Sequence, residues 1–172
     1  EGEDSYRQAY MISRLHQETM IKAYAYKFGI ETKFIRLPAV YGFEDDKKSP
    51  WILNSLIQQL IKTGNITIRK PSSYIWLTHK NILNEFIKKQ ISSVSHQNLS
   101  CNVSYLECPK IGLRLKTLSN FIESSFKEKY PMNILDFKNQ INLSGINSEN
   151  ELTLHLKYLK ESIFNLYKNG TS

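Results

Sequence analysis

The stretch FGIETKFIRLPAVYG, residues 28–42, contains the signals for a helix end, a strand and the break that follows the strand. Gly29 stands where a helix C-cap belongs, because glycine adopts a left-handed backbone without steric cost. Residues 32–37 are rich in strand-favouring residues, and Pro38 ends them because it has no backbone N–H to donate. The stretch therefore predicts a helix that ends near residue 28, a strand over 32–37, and a polar loop over 39–50.

The residues before this stretch have the spacing of a helix. Apolar residues recur near the helical period from residue 6 to residue 28. Within this segment Tyr10, Arg14 and Glu18 are four positions apart, and residues at that spacing share one face of a helix. The sequence thus predicts a stripe on which a phenol lies beside a cation, an arrangement that suits acid/base chemistry. An ordinary polar helix surface is the alternative interpretation.

Downstream, helical spacing of apolar residues alternates with short runs of strand-favouring residues. The predicted helices are 51–62, 81–91, 117–129 and 151–167, and the predicted strands are 66–68, 74–77 and 102–108. Thr117 is predicted to be the N-cap of its helix. Residues 130–150 have no clear pattern. The alternation of strands and helices predicts the α/β class.

The composition predicts a globular protein with its own core. Of 172 residues, 41% are hydrophobic and 23% are charged. The formal net charge is +7, but the basic residues are scattered, which favours solvated surfaces over a nucleic-acid groove. No apolar run has the length of a membrane span, and no signal-peptide pattern opens the sequence. We therefore expect a cytoplasmic protein without a membrane or nucleic-acid partner.

Cysteine and histidine residues give no metal signal. The two cysteines, Cys101 and Cys108, lack a metal-ligand spacing. The four histidines also lack one, so we interpret them as surface or hydrogen-bonded residues: His16, His79, His96 and His155. The sequence therefore predicts no metal site.

Two ordered motifs resemble the second half of the extended short-chain dehydrogenases/reductases, the NAD-dependent epimerase/dehydratase family that acts largely on nucleotide sugars. That family has Tyr-x-x-Ser-Lys-x-x-x-Glu on a helix, followed by a strand that ends in Arg-x-x-x-Val-Tyr-Gly. The matching residues here are Tyr10, Ser13, Glu18, Arg36, Val40, Tyr41 and Gly42. The later elements also follow the family's order, although the close resemblance is confined to residues 10–42.

The resemblance implies catalytic roles for the first stripe. Tyr10 would exchange a proton with a substrate hydroxyl while hydride passes to or from a nicotinamide. Arg14 takes the place of the family's lysine, which assists the tyrosine and binds the cofactor ribose. The further implied cofactor contacts are Pro38 and Val40. The implied substrate contacts are Arg36, Tyr41, Arg69 and Lys70, because cationic side chains bind a nucleotide diphosphate.

The resemblance also implies an architecture in two parts. Residues 1–45 would be the last part of a Rossmann-like parallel-sheet domain, and residues 46–172 would form most of a smaller substrate-binding lobe. The implied activity is that of an NAD- or NADP-dependent epimerase, dehydratase or reductase. Its substrate would be a nucleotide sugar used in polysaccharide or deoxysugar synthesis.

The sequence departs from the family pattern in several respects. Residues 1–172 contain no Gly-rich turn that would bring backbone amides to a pyrophosphate. Arg14 replaces a lysine, and a guanidinium is wider and flatter than an ammonium. Thr78 and His79 stand where the family has an acidic pair. We therefore expect the C-terminal portion of a longer enzyme, completed by its N-terminal half or by a companion chain, with a homodimer as a further arrangement.

A catalytically degenerate or truncated relative with a binding or assembly role is the alternative. Arg14 and the missing Gly-rich turn suggest this function, because both weaken the expected cofactor site. Nucleic-acid binding is a third hypothesis, and only the net charge favours it.

Overall fold

The computed structural model describes residues 2–42, 52–93, 103–126, 140–146 and 148–171. The helices are α1 (Gly2–Phe28), α2 (Ile52–Thr63), α3 (Lys80–Ser92), α4 (Leu115–Phe126) and α5 (Glu149–Thr171). The strands are β1 (Thr32–Arg36), β2 (Ala39–Tyr41), β3 (Tyr74–His79), β4 (Val103–Glu107), β5 (Lys110–Arg114) and β6 (Asn142–Ser144). The predicted α/β class is confirmed, and a Rossmann-like arrangement remains a prediction. Within the described ranges, no helix is both long and apolar enough to cross a membrane.

Close packing divides the chain into two compact units. Unit 1 consists of Glu1–Arg36 and Val94–Leu106, and unit 2 consists of Leu37–Ser93 and Glu107–Ser172. Strands β1 and β4 form a two-stranded sheet, and β2, β3, β5 and β6 form a four-stranded sheet. The functional boundary predicted after residue 45 stays a prediction.

The first helix and strand follow the sequence pattern. Helix α1 ends at Phe28, and Gly29 has a φ of 64°, in the left-handed region. The N–H of Ile30 donates to the carbonyl of Ala25 at 2.9 Å. This is the 6→1 hydrogen bond of a Schellman C-cap. Strand β1 then begins at Thr32. The predicted helix end and the predicted strand are therefore confirmed.

The sheet of unit 2 has the strand order β2-β3-β5-β6. Strand β2 is parallel to β3, and the other neighbouring pairs are antiparallel. Residues 39–41, which were predicted to begin a loop, form β2 because they pair with β3 and place Tyr41 opposite His79. Trp76 lies opposite Gly112, where a Cβ would come within 2.8 Å of the indole ring. Glycine at that position therefore gives the ring its space.

The predicted strand over 66–68 is wrong. Two side chains satisfy backbone N–H groups that a strand would offer to a neighbour: Glu123 accepts from Ile66 at 3.2 Å, and Gln59 accepts from Thr67 at 2.6 Å. The segment has no regular secondary structure. Strands β5 and β6, in contrast, form where the sequence pattern predicted no strand.

Helix α4 begins at Leu115, two residues before Thr117, so the predicted N-cap is wrong. The N–H of Leu115 donates to the carbonyl of Ser73 at 2.8 Å, and the N–H of Lys116 donates to the carbonyl of Pro71 at 3.2 Å. The backbone before β3 therefore satisfies the first N–H groups of the helix, which a capping side chain would otherwise bind.

The core of unit 2 joins the four-stranded sheet to α2, α4 and α5. The helices bring apolar residues to this core at helical spacing, which confirms the helices predicted over 51–62 and 151–167. The large apolar side chains with no exposed surface are Leu53, Ile57, Leu77, Ile111, Leu113, Leu118, Ile122, Leu159 and Ile163. Burial of one such side chain contributes about 1.5–3 kcal/mol, so packing by the helices holds the sheet in place.

Candidate functional site

Tyr10 and Arg14 lie one helical turn apart on α1, as their spacing predicts. The Nε of Arg14 donates a hydrogen bond to the Tyr10 hydroxyl at 3.1 Å, and the guanidinium carbon lies 5.2 Å from the centre of the ring. Both side chains are exposed. The hydroxyl of Ser13 donates to the carbonyl of Tyr10 at 2.8 Å, so it is already used within the helix. The structure thus brings together the phenol and the cation of the predicted stripe.

Glu18, the third member of the stripe, is surrounded by donors in unit 1. Its carboxylate accepts a hydrogen bond from the Tyr105 hydroxyl and lies 3.1 Å from the Lys22 ammonium and 3.4 Å from the Arg36 guanidinium. The hydrogen bond from Tyr105, followed by the one from Lys22, holds the pKa of Glu18 below its ordinary value. Glu18 therefore joins α1 to both strands of the two-stranded sheet.

Arg36 has a structural partner as well as an exposed surface. Its guanidinium carbon lies 5.4 Å from the centre of the Tyr105 ring, and its side chain is 72% exposed. Most of the side chain is accordingly exposed, while the Nη2 of the guanidinium is directed to Glu18. The substrate role predicted for Arg36 stays a prediction.

Tyr41 is buried at the end of β2. Its hydroxyl donates to the backbone carbonyl of His155 at 3.1 Å, and its ring meets the ring of His79 edge-on at 5.1 Å between centres. Burial raises the pKa of Tyr41 well above its ordinary value, so the phenol stays neutral. The predicted substrate role of Tyr41 is untested, but its hydroxyl is already bound within the fold.

His79 fills the space above Gly42 and caps α3. Gly42 has a φ of 100°, and a Cβ built there would lie 2.3 Å from the Nε2 of His79. The Nδ1 of His79 accepts from the N–H of Asn81 at 3.2 Å, which makes it the N-cap of the helix. The ring of His79 also stacks on the ring of Tyr158, with 4.2 Å between the ring centres. The interpretation of His79 as a hydrogen-bonded residue is therefore confirmed.

His155 differs from its predicted surface or hydrogen-bonded state. It is 1% exposed, and within the described part of the chain neither of its ring nitrogens has a hydrogen-bond partner. Burial lowers the pKa of His155 to about 4 and outweighs the attraction of Glu151, so the ring is neutral at pH 7. Periodicity could place His155 on the inner face of α5, but the absence of a partner depends on distant residues.

A polar cavity of about 280 Å³ lies at the end of the four-stranded sheet in unit 2. Its walls come from Tyr74, Arg114, Thr117, Gln140 and Asn142. The guanidinium carbon of Arg114 lies 5.7 Å from the centre of the Tyr74 ring, and the Thr117 hydroxyl donates to Gln140 at 3.3 Å. One cation and several amide and hydroxyl groups give this cavity the chemistry of an anion or nucleotide site.

Arg69 and Lys70 are exposed in the segment that enters β3. The carbonyl of Lys70 accepts from the N–H of Ser73 at 3.1 Å, and the two residues between them form a turn. The carbonyl of Pro71 accepts from the backbone at the start of α4. This turn therefore lies beside the first turn of α4, where Thr117 lines the polar cavity. Neither predicted cation lines the cavity, and the cation that does is Arg114, which the sequence reasoning missed.

Pro38 and Val40 flank and form β2, and both are half-buried. Val40 lies opposite Thr78 in the parallel pair of strands. Their predicted contact with a cofactor is untested. Across the described ranges, no group of histidine, cysteine or acidic side chains could hold a metal ion.

Comparison of the chain with models of protein families, with curated proteins and with solved structures found no match.

Proposed function

We propose that this chain is the substrate-side portion of an NAD(P)-dependent epimerase, dehydratase or reductase that acts on a nucleotide sugar. The hydrogen bond from Arg14 to Tyr10 on an exposed helix surface is the observation that carries the proposal. This contact holds the phenol in one position beside a cation, as an acid/base group requires. The motif of residues 36–42 at the expected distance along the chain supports the same class.

In this function Tyr10 exchanges a proton with the substrate, and Arg14 orients the Tyr10 side chain. Tyr10 as the phenolate would accept the proton of a sugar hydroxyl during oxidation, and as the phenol it would return that proton during reduction. The Nε of Arg14 donates to the Tyr10 hydroxyl. The planar guanidinium has further N–H groups, and these suit ribose hydroxyls. When bound, the nicotinamide would accept or return the hydride.

The cofactor site is only partly contained in these residues. Arg14 suits the cofactor ribose, whereas no Gly-rich turn in residues 1–172 suits the pyrophosphate. The pyrophosphate site would come from an N-terminal half of the same protein or from a companion chain. The apolar side chains exposed on α1 support such a partner: Tyr6, Met11, Ile12, Leu15, Met20, Ile21, Tyr24, Tyr26 and Phe28.

The polar cavity of unit 2 supports a nucleotide-sugar substrate. An arginine fork binds phosphate oxygens bidentately, and Arg114 is placed in the cavity wall. Arg69 and Lys70 add two cations on the neighbouring turn. We infer that the diphosphate binds on this side of the sheet.

A non-catalytic role in binding or assembly is the second candidate. The same exposed apolar surface of α1 favours it, because such a helix could serve only to hold a partner. Under this hypothesis Tyr10 and Arg14 form an ordinary surface pair.

The two functions differ in the effect of Tyr10→Phe on the complete protein. The substitution keeps the ring and removes the hydroxyl, so turnover of nucleoside-diphosphate hexoses should fall by about 10² to 10⁴, the usual contribution of a positioned acid/base group. Arg14→Lys should keep or raise turnover, because it restores the compact ammonium of the family. The measurement is NAD(P)-dependent turnover of a panel of such sugars.

Matched controls are available on the same helix. Tyr26→Phe removes another exposed phenol of α1, and Lys27→Arg exchanges one cation for another on a face of α1 away from the stripe. Both should leave turnover within about twofold of the parent. The enzyme proposal is wrong if the Tyr10→Phe variant turns over its substrate as fast as the Tyr26→Phe variant. It is also wrong if the complete protein neither oxidises nor reduces any of the sugars.

A further inference from the structure

A second cavity in unit 2, of about 310 Å³, lies between α3 and α5 beside Pro109. Ile82 and Phe86 are four positions apart on one face of α3, and Leu154 and Tyr158 are four positions apart on one face of α5. These four side chains and Pro109 form the apolar walls. Sites for small molecules have volumes of about 300–1,000 Å³ and mostly apolar walls, so the cavity has room for a small ligand.

The two helices leave the apolar walls of this cavity partly uncovered. Of the residues of α3, Leu83 is the one that is buried. Ile82 and Phe86 are half-buried, and Leu154 is 40% exposed. Protein interiors are packed so closely that they contain few voids larger than a water molecule. An apolar opening of this size therefore favours a further apolar molecule, which would remove the walls from water.

The charges around the cavity balance one another. Glu85, Glu151 and Lys89 belong to the lining, and Glu85 is ion-paired with Lys88 at 2.8 Å. The hydrogen bond from Lys88, followed by the charges of Lys88 and Lys89, holds the pKa of Glu85 below its ordinary value. Two carboxylates are thus matched by two ammonium groups. An ionised ligand would lose its hydration here without gaining a surplus charge of opposite sign.

The polar residues of the lining that carry no formal charge are Asn81, His155 and Tyr158. Both ring nitrogens of His155 are buried, so they do not face the cavity. The carboxamide of Asn81 and the hydroxyl of Tyr158 can each donate and accept a hydrogen bond. These two groups suit an uncharged hydroxyl on a ligand.

We propose that the cavity between α3 and α5 binds a small uncharged molecule with one aromatic ring and one hydroxyl group. The ring packs against Phe86, Leu154 and Tyr158, where contacts between aromatic rings add to the gain from apolar burial. The hydroxyl exchanges a hydrogen bond with the carboxamide of Asn81. The proposal is independent of the nucleotide-sugar function.

Three probes of similar size test the preference for an uncharged ligand on the full chain. The probes 2-phenylethanol, phenethylamine and phenylacetate share the aromatic ring and differ in the charge of the polar end. In calorimetric titrations at pH 7.5, the alcohol should bind saturably with a Kd below about 1 mM. Each ion should bind at least about tenfold more weakly, because it gains no unpaired counter-charge. Equal affinities for the three probes, tighter binding of either ion, or no saturable binding of the alcohol would overturn the proposal.

The same substitution at two exposed leucines locates the binding. Leu154→Trp places a larger side chain in the cavity wall and should weaken binding of 2-phenylethanol at least about tenfold. Leu15→Trp makes the same exchange on α1, where the leucine is 64% exposed, and should leave binding within about twofold. Circular dichroism checks the fold of both variants. Equal binding by the two variants would show that the alcohol binds elsewhere.

An ion-pair variant tests the charge balance separately. Glu85→Gln leaves a surplus of positive charge at the cavity, so it should tighten binding of phenylacetate about two- to fivefold and leave 2-phenylethanol unaffected. Glu161→Gln is the control, because Glu161 is paired with Lys157 on the surface of α5 and does not line the cavity. If phenylacetate binds both variants equally, the balanced charges do not set the preference and the proposal is wrong.

A spectroscopic signal identifies the wall that the ligand contacts. The ring current of 2-phenylethanol should shift the methyl resonances of Ile82 in NMR spectra of the parent chain, and it should leave those of the exposed Ile12 unchanged. Saturation of the Ile82 shift should give the same Kd as calorimetry. If the alcohol binds in calorimetry and the Ile82 resonances stay in place, the cavity between α3 and α5 is not the site.

Discussion

The hydroxyl of Tyr41 donates a hydrogen bond of 3.1 Å to the backbone carbonyl of His155, 114 positions along the chain. Tyr41 is the last residue of β2 and His155 lies within α5, so the bond fastens the C-terminal helix to the sheet. The ring of Tyr41 meets His79, whose ring stacks on Tyr158 of the same helix. Two tyrosines and two buried histidines thus form one connected cluster in unit 2.

Tyr41→Phe should lower the free energy of unfolding by about 1 kcal/mol, because it removes a buried hydrogen bond and keeps the ring. Urea denaturation followed by circular dichroism measures the change. Tyr74→Phe is the control, since Tyr74 is exposed at the start of β3 and should change stability by less than about 0.5 kcal/mol. Equal effects of the two substitutions would show that the Tyr41 hydroxyl adds nothing to stability.

Gly42→Ala should destabilise the chain more than Gly64→Ala. Both glycines have a positive φ, 100° and 72°, so each alanine stores backbone strain of about 1 kcal/mol or more. At Gly42 the new Cβ would also lie 2.3 Å from the Nε2 of His79, whereas at Gly64 nothing lies within 4 Å. We expect the clash to add about 1–3 kcal/mol in denaturation experiments. A smaller loss for Gly42→Ala than for Gly64→Ala would contradict the packing of His79 on Gly42.

The stability of unit 2 should depend on the ionisation of His155. Burial lowers the pKa of His155 from 6.5 to about 4, so the unfolded chain binds the proton at a higher pH than the folded chain. Above pH 6.5 the ring is therefore neutral in both states and costs the fold nothing. As the pH falls from 6.5 to about 4, the free energy of unfolding decreases because only the unfolded chain binds the proton. The pKa difference corresponds to a loss on the order of 3 kcal/mol.

His155→Phe isolates this effect from the carboxylates that also titrate. The difference in unfolding free energy between pH 7 and pH 4.5 should be smaller in this variant than in the parent, because the variant has no proton to bind at residue 155. His16→Gln, at an exposed position of α1, should keep the parent's pH dependence. If His155→Phe and the parent lose stability in parallel, the ring is not held neutral by burial.

Residues 1–172 alone should show no specific affinity for NAD(P). Arg14 is the proposed contact of the cofactor ribose, but the sequence has no Gly-rich turn whose amides would bind the pyrophosphate. Calorimetric titration with NAD and with NADP measures this directly. Saturable binding at micromolar concentrations would mean that the cofactor site lies elsewhere in these residues.

The sequence predicts the helices better than the strands for a physical reason. Helix α2 repeats its apolar residues every three or four positions, and this pattern depends only on local geometry. Strands β2 and β6 have three residues each, too few for an alternation to be detected. Residues 66–68 have the composition of a strand, but side chains of α2 and α4 bind their N–H groups. Tertiary contacts, which no local pattern contains, decided these three segments.

In the candidate site too, the sequence predicts local contacts better than tertiary ones. The contact between Tyr10 and Arg14 lies within one helical turn, so spacing alone predicts it. Arg114 and Thr117 meet Tyr74 in a cavity only because β5 pairs with β3, a pairing that the sequence analysis did not contain. The unpaired ring of His155 likewise depends on what packs around it.

The two units should differ in how fast their amide hydrogens exchange with deuterium. Among the described side chains of unit 1, Ala25 is the one buried hydrophobic residue, and α1 exposes its large apolar side chains. A helix without tertiary packing is marginal in water, so its hydrogen bonds open locally. The amides of α2 and α5, whose apolar faces are buried, should exchange only when unit 2 unfolds. In the absence of a partner, α1 should therefore take up deuterium long before the helices that surround the core.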